Sequence, residues 1–465
     1  MSKHAVTLLR ALGLAALASA CAFSAGDDDR ATGALRPVER KIVGEAKPYA
    51  ADPSLRARTA ELTANVALRR QIAWRSLAKV LAPVALADAN VKVNGKAPTL
   101  PLFRTWFGKD DFERMFAKTY GDKTPEERKA RAAITDEEVA AAFHWNATDQ
   151  GSFADDDYLA RVAKVTDPAF AQGLAGNARV SYSPGFVRHM MKDYAPAVAC
   201  LPKLGTFGRS DPPPSKTNFA PCFSEEFPVD AALVKASFFR AEFGMTLPTH
   251  ATDAATLKKR LAGELDSGGW GAGEGTANPD SSRIYTVKTS DGSTFRMPAL
   301  HLVTKELREW LWITFWWSDK PDDDFGADRP QEMRALGAPW SNYKMNVSVA
   351  YEEGAADVGA GLPATLAAAL RATVTKPGEP SWVSNPYLER GGKNAQTNCI
   401  GCHQHAGDPG LSSETVLADP SLPASGRTRV RQNFPADYIW SFDFGGEQLA
   451  RILERHVAHF DAIDR

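Results

Sequence analysis

Residues 310–317 read Trp-Leu-Trp-Ile-Thr-Phe-Trp-Trp. This run is apolar on both faces that a strand presents, and it falls far short of the about 20 apolar residues a membrane-spanning helix needs. It reads as a buried central strand, so the chain has to lay other strands beside it. Candidates flank it on both sides. Residues 232–240 (ALVKASFFR) form one, and residues 284–289 and 294–304 read as a hairpin about the turn Ser290-Asp291-Gly292. Residues 343–351 (YKMNVSVAY) alternate and make a fourth candidate, and a Gly- and Ser-rich loop at 267–282 precedes the hairpin. Trp310, Trp312, Trp316 and Trp317 are read as core rather than as an electron path, because a buried aromatic removes about 150–250 Å² from water.

The region before these strands reads as helical. Residues 53–82 carry spaced leucines among many Ala and Arg and end at Pro83. Thr124-x-x-Glu127 and Thr135-x-x-Glu138 are capping boxes, the first with Pro125 at the first helical position. With 30 prolines and 35 glycines, turns are frequent and long helices few. Lys and Arg total 55 against 56 Asp and Glu, a net charge of -1, so no bulk electrostatic attraction points to nucleic acid.

Residues 1–20 join a positive start (Lys3, Arg10) to a short apolar stretch ending in small residues, the pattern of a secretory leader. The sequence Ala18-Ser19-Ala20-Cys21 resembles the lipobox of bacterial lipoproteins, with Ala18 where Leu is usual. Lipidation of Cys21 is expected, which makes residues 21–48 a polar tether to a membrane; cleavage after Ala20 is the alternative. The expected location is the periplasm. Cys200 and Cys222 enclose a Pro-rich loop and are expected to form a disulfide in that compartment.

The chemistry is concentrated in Asn398-Cys399-Ile400-Gly401-Cys402-His403. Cys-x-x-Cys-His is the spacing that covalent haem attachment needs. Two thiols on one helical turn add to the two haem vinyl groups, and the histidine on the same face reaches the iron as proximal axial ligand. With five Cys and nine His in 465 residues, chance supplies roughly 0.001 such matches. A thioredoxin-like pair wants a preceding strand, whereas residues 388–397 are polar with Gly391-Gly392. A zinc site wants four ligands, and the sequence holds no second Cys-x-x-Cys. The cofactor expected is therefore haem c, one per chain, on Cys399, Cys402 and His403.

The segment 382–465, with ERGGKNAQTNCIGCHQHAG and a closing apolar face at Leu449, Ile452, Leu453, His456 and Phe460, resembles a monohaem c-type cytochrome domain. ALVKASFFR, LHLVTKE and WLWITF faintly resemble stretches of uncharacterised bacterial cytochrome-family proteins. The resemblance implies an all-α, cytochrome c-like C-terminal domain. The expected fold is thus multidomain: an α-rich N-terminal region (49–228), an α+β middle region with a small, mostly antiparallel sheet (229–378, separate from or continuous with the first), and the haem domain at 382–465.

Members of that family usually supply a Met as the second axial ligand, but no Met follows Met345. His405 is too close to His403 to reach the opposite haem face. The preferred sixth ligand is His301, on the strand face of Ala299 and Val303; His456, His144, His189 or an open site are the alternatives. The function expected is electron transfer between redox partner proteins. Its rivals are a haem enzyme with an open iron and a haem-based gas sensor.

Overall fold

A computed structural model describes residues 46–85, 99–108, parts of 115–139, 178–192, 226–241, 245–261, 270–288, 294–349 and 383–389, with single residues that include Cys399, His403 and Ile439. In chain order the strands are β1 (Pro83–Ala85), β2 (Thr99–Pro101), β3 (Ala178–Tyr182), β4 (Ala232–Arg240) and β5 (Leu247–Thr249). They continue as β6 (Gly275–Ala277), β7 (Thr286–Lys288), β8 (Thr294–Thr304), β9 (Leu311–Trp317) and β10 (Tyr343–Val349). Two ribbons, β1-β2 and β5-β6, stand apart from one six-stranded sheet ordered β10-β9-β8-β4-β3, with β7 also paired to β8. Every pairing in that sheet is antiparallel.

The helices are α1 (Thr59–Ala64), α2 (Val66–Leu81), α3 (Pro125–Ala130), α4 (Pro184–Lys192), α5 (Ala254–Leu261) and α6 (Gln331–Ala335). Asn65 starts α2 by accepting a hydrogen bond from the Leu68 amide at 3.0 Å, which satisfies an otherwise unpaired N–H. Pro83 lies just beyond the last turn, where it cannot prolong the helix. At α3 the capping box closes in both directions: the Glu127 carboxylate accepts from Thr124 N at 2.8 Å, and Thr124 Oγ1 accepts from Glu127 N at 3.2 Å.

Alternation along the strands gives the sheet two unlike faces. One carries Val234, Ala236, Leu300, Leu302, Ile313, Phe315, Trp317, Met345 and Val347, all buried. Helix α2 covers it: the Trp74 ring meets Phe315 edge-on at 6.2 Å, and Phe315 stacks on Tyr343 at 4.5 Å. Phe315→Ala removes a fully buried ring from the centre of this layer. Denaturant unfolding should register a loss of about 3–5 kcal/mol; a loss under about 1 kcal/mol would show that Phe315 does not anchor the layer.

The N-terminal segment is sewn to the sheet by Glu306, a buried carboxylate at the end of β8. It accepts from Tyr49 Oη at 3.0 Å, from the Asp52 amide at 2.7 Å and from Thr304 Oγ1 at 2.8 Å. Burial, then the Glu306 charge, pushes the Tyr49 phenol well above its ordinary value.

This architecture corrects the expected fold class. The sheet is not small, because it has six strands, and β3 comes from the stretch expected to be mainly helical. The helices are short, with α2 the longest among the described residues. Nothing among the described residues supports an all-α C-terminal domain. Instead, residues 383–389 lie against the sheet, with Asn385 donating to Thr314 Oγ1 at 2.7 Å. The physical reason is that β8 and β9 each bury a second face that includes polar groups, and that face needs hydrogen-bonding cover. The strand at 310–317 also starts one residue late. Trp310 sits at φ 65, outside the strand region, with its ring held by Lys305 at 5.0 Å and Phe227 at 5.5 Å.

Candidate functional site

The second face of the sheet is where the predicted chemistry gathers. Its register places Lys235 opposite His301, His301 opposite Thr314, and Thr314 opposite Asn346. A polar row therefore crosses four strands. On one side of it run Ser237, Ala299, Trp316 and Lys344; on the other run Leu233, Val303, Trp312 and Ser348. His301 thus shares its strand face with Ala299 and Val303, as the sequence reading expects.

Residues 383–389 are fastened over this face by side chains of several elements. Asn385 Nδ2 donates to Thr314 Oγ1 at 2.7 Å and to the Phe315 carbonyl at 3.3 Å. Trp270 Nε1 donates to Ser384 Oγ at 2.8 Å, and Tyr387 Oη donates to the Pro248 carbonyl at 2.7 Å. From this anchor the chain runs on to the Cys-x-x-Cys-His motif. Cys399 and His403 are both in helical conformation. Cys399 is buried. The His403 ring packs on Trp312, with ring centroids 4.4 Å apart and planes inclined at 49°.

His403 and His301 therefore meet the same sheet face. The His301 imidazole is held well below its ordinary pKa, first by burial, then by the positive charge of Lys235, then by His403. A neutral imidazole keeps a lone pair, which a metal ligand requires. Its Nε2 lies 3.8 Å from Glu389 Oε1, beyond hydrogen-bond reach. Its Nδ1 is buried without a hydrogen-bond partner.

Whether these residues fit a haem is tested by the polar atoms around them. Ser237 Oγ, Trp316 Nε1 and Ser348 Oγ are also buried without partners, and all three stand in the rows flanking His301. Buried polar groups are nearly always satisfied, so the unpartnered His301 Nδ1 is the atom of this face that a further group would be expected to meet. A neutral buried histidine on that face and a motif histidine packed against it fit an iron porphyrin. Among the described residues, no group of three or more His, Cys, Asp or Glu side chains is arranged to hold a bare metal ion.

The other expected residues are placed as follows. His189 is on α4, buried, with its ring 4.4 Å from Phe227. Cys402, Cys21, Cys200, Cys222, His144, His405 and His456 lie outside the described residues. No described helix is long and apolar enough to cross a membrane. Three residues of the site escape sequence reasoning. Lys235 carries a signal, as the one charge among the first eight residues of ALVKASFFR. Trp312 reads as core and is core, yet it also carries the His403 ring. Glu389 carries no local signal at all, since its partner is 88 positions away in sequence (389 − 301).

Comparison with known proteins adds no relative: no family model, curated protein or solved structure matches the chain.

Proposed function

We propose that this chain carries one haem c, attached through Cys399 and Cys402, and passes single electrons between redox partners. In this reading His403 and His301 would be the residues that hold the haem iron. The observation that carries it is that His403, the residue the motif commits to iron, lies on the sheet face that holds a neutral, buried histidine with an unpartnered nitrogen. When bound, haem c supplies one-electron chemistry at iron whose potential the protein sets through its ligands and their surroundings.

The chain's own residues then have defined tasks. Trp312 limits rotation of the His403 ring. Burial keeps His301 deprotonated. Strands β8 and β9 hold both contacts on a rigid element, which positions ligands more accurately than a loop does. A second histidine at the iron would leave no open position, which favours electron transfer over an enzyme or gas sensor, both of which need open iron. The similarity to monohaem c-type cytochromes supports the reading at the level of the motif only. Export by residues 1–20, lipidation of Cys21 and a Cys200–Cys222 disulfide belong to the same proposal, since covalent haem attachment and disulfides both suit an oxidising compartment outside the cytoplasm.

The spectrum of the purified ferric protein tests the reading. Two strong nitrogen ligands give low-spin iron without methionine–iron absorption. A high-spin spectrum would mean an open position and would transfer the argument to the enzyme or the sensor.

A further inference from the structure

Resting on the haem reading above, we propose that Asn385 is a positioning residue for the iron site: its carboxamide clasps Thr314, the sheet neighbour of both His301 and Trp312, and so sets where the chain leading to the motif meets the sheet. The clasp uses all of the amide. Nδ2 donates to Thr314 Oγ1 at 2.7 Å and to the Phe315 carbonyl at 3.3 Å, and Oδ1 accepts from the Tyr387 and Leu388 amides at 3.0 and 3.3 Å. Two donors and two acceptor sites are what a carboxamide has. Asn385 and Thr314 are both buried, so each of these bonds is costly to lose. Sequence prepares one half of the clasp: Pro386 follows Asn385 and has no N–H, so the asparagine oxygen closes the turn on the next two amides. The donor end is then left for β9.

Location gives the clasp its purpose. Thr314 stands opposite His301 in the β8–β9 register. It shares its face with Trp312, two residues back along β9 and about 7 Å away at the usual strand rise. The His403 ring packs on that Trp312. Asn385 and His403, 18 residues apart (403 − 385), thus meet the same face of one strand. Beside Asn385, Ser384 is bonded to Trp270 and Tyr387 to the Pro248 carbonyl, so the turn has support of its own. The Asn385–Thr314 bond refers that turn to the row of His301.

A set of ligands tolerates only about 0.5 Å of misplacement. A shift of residues 383–389 over the sheet would move the motif relative to His301, and the clasp opposes that shift. Only an amide serves both ends, since the turn needs an acceptor and the Phe315 carbonyl needs a donor.

Two readouts of the full chain test this, one without haem and one with it. In the haem-free chain, alkylation of Cys399, followed by mass spectrometry of its peptide, reports how firmly the motif is held, since Cys399 is buried. In the haem-loaded chain, the ferric spin state and electron paramagnetic resonance g-values report the ligand geometry. Asn385→Asp keeps the oxygen that closes the turn and sets an acceptor against the Phe315 carbonyl. Thr314→Val removes the acceptor from the strand side and leaves the turn whole, so it serves even if Asn385→Asp does not fold. Both are expected to speed Cys399 alkylation about tenfold, the ratio that one lost buried hydrogen bond gives, and to add a high-spin fraction with covalent haem retained. Thr314→Ser keeps the hydroxyl and should match wild type in both readouts. Haem-loaded Thr314→Val protein with the wild-type spin state and g-values would reduce the clasp to a structural bond and overturn the proposal. Faster alkylation in a chain that takes up no covalent haem, seen by haem staining, would overturn the reading beneath it, while the clasp itself would stand.

Discussion

Replacing Cys399 and Cys402 together by alanine is expected to abolish covalent haem. Each thioether needs one thiol, and Cys399, which is buried, stands four positions before His403 in the motif. The single variants should each retain one thioether and hence a weaker covalent signal, because the remaining thiol and His403 still capture the group. Haem staining after denaturing electrophoresis reads all three proteins on one gel. A double variant that stained as strongly as wild type would place attachment elsewhere.

His301→Ala should convert low-spin ferric iron to high-spin and leave the covalent bond intact. In the proposed reading the distal ligand would come from β8 and the attachment chemistry from the motif, so one could be lost without the other. His301→Met offers the converse outcome: a thioether in place of imidazole should keep the iron low-spin, introduce methionine–iron absorption and raise the potential. His189→Ala serves as the control, because that buried histidine lies on α4, packs on Phe227 and should not affect the spectrum. Should His301→Ala match wild type, His301 is a sheet histidine and nothing more.

Much of the sheet was legible in the sequence, for a physical reason. Residues 232–240 and 311–317 are dominated by apolar, β-branched and aromatic residues, and they fold as β4 and β9. The hairpin at 284–304 was equally plain, since Ser290-Asp291-Gly292, a segment of the kind that joins hairpin strands, lies between the residues that pair as β7 and β8. Strand β3 was not legible. ARVSY is short and becomes a strand only because β4 offers it an edge. The C-terminal fold was misread because helical conformation at Cys399 and His403 is compatible with many settings. What decides the setting is the hydrogen bonding of Asn385 to Thr314, between residues 71 apart. In the candidate site, the motif and His301 could be found from sequence; Glu389 and Lys235 could not be assigned to it, because cross-strand register and chain return are properties of the folded sheet.

The central claim is that haem is covalently bound, and extraction with acidified acetone tests it most directly. The account predicts that the colour stays with the precipitated protein, because two thioethers survive acid and solvent. Colour passing wholly into the acetone phase would show that haem is held by ligation alone, and would contradict the account.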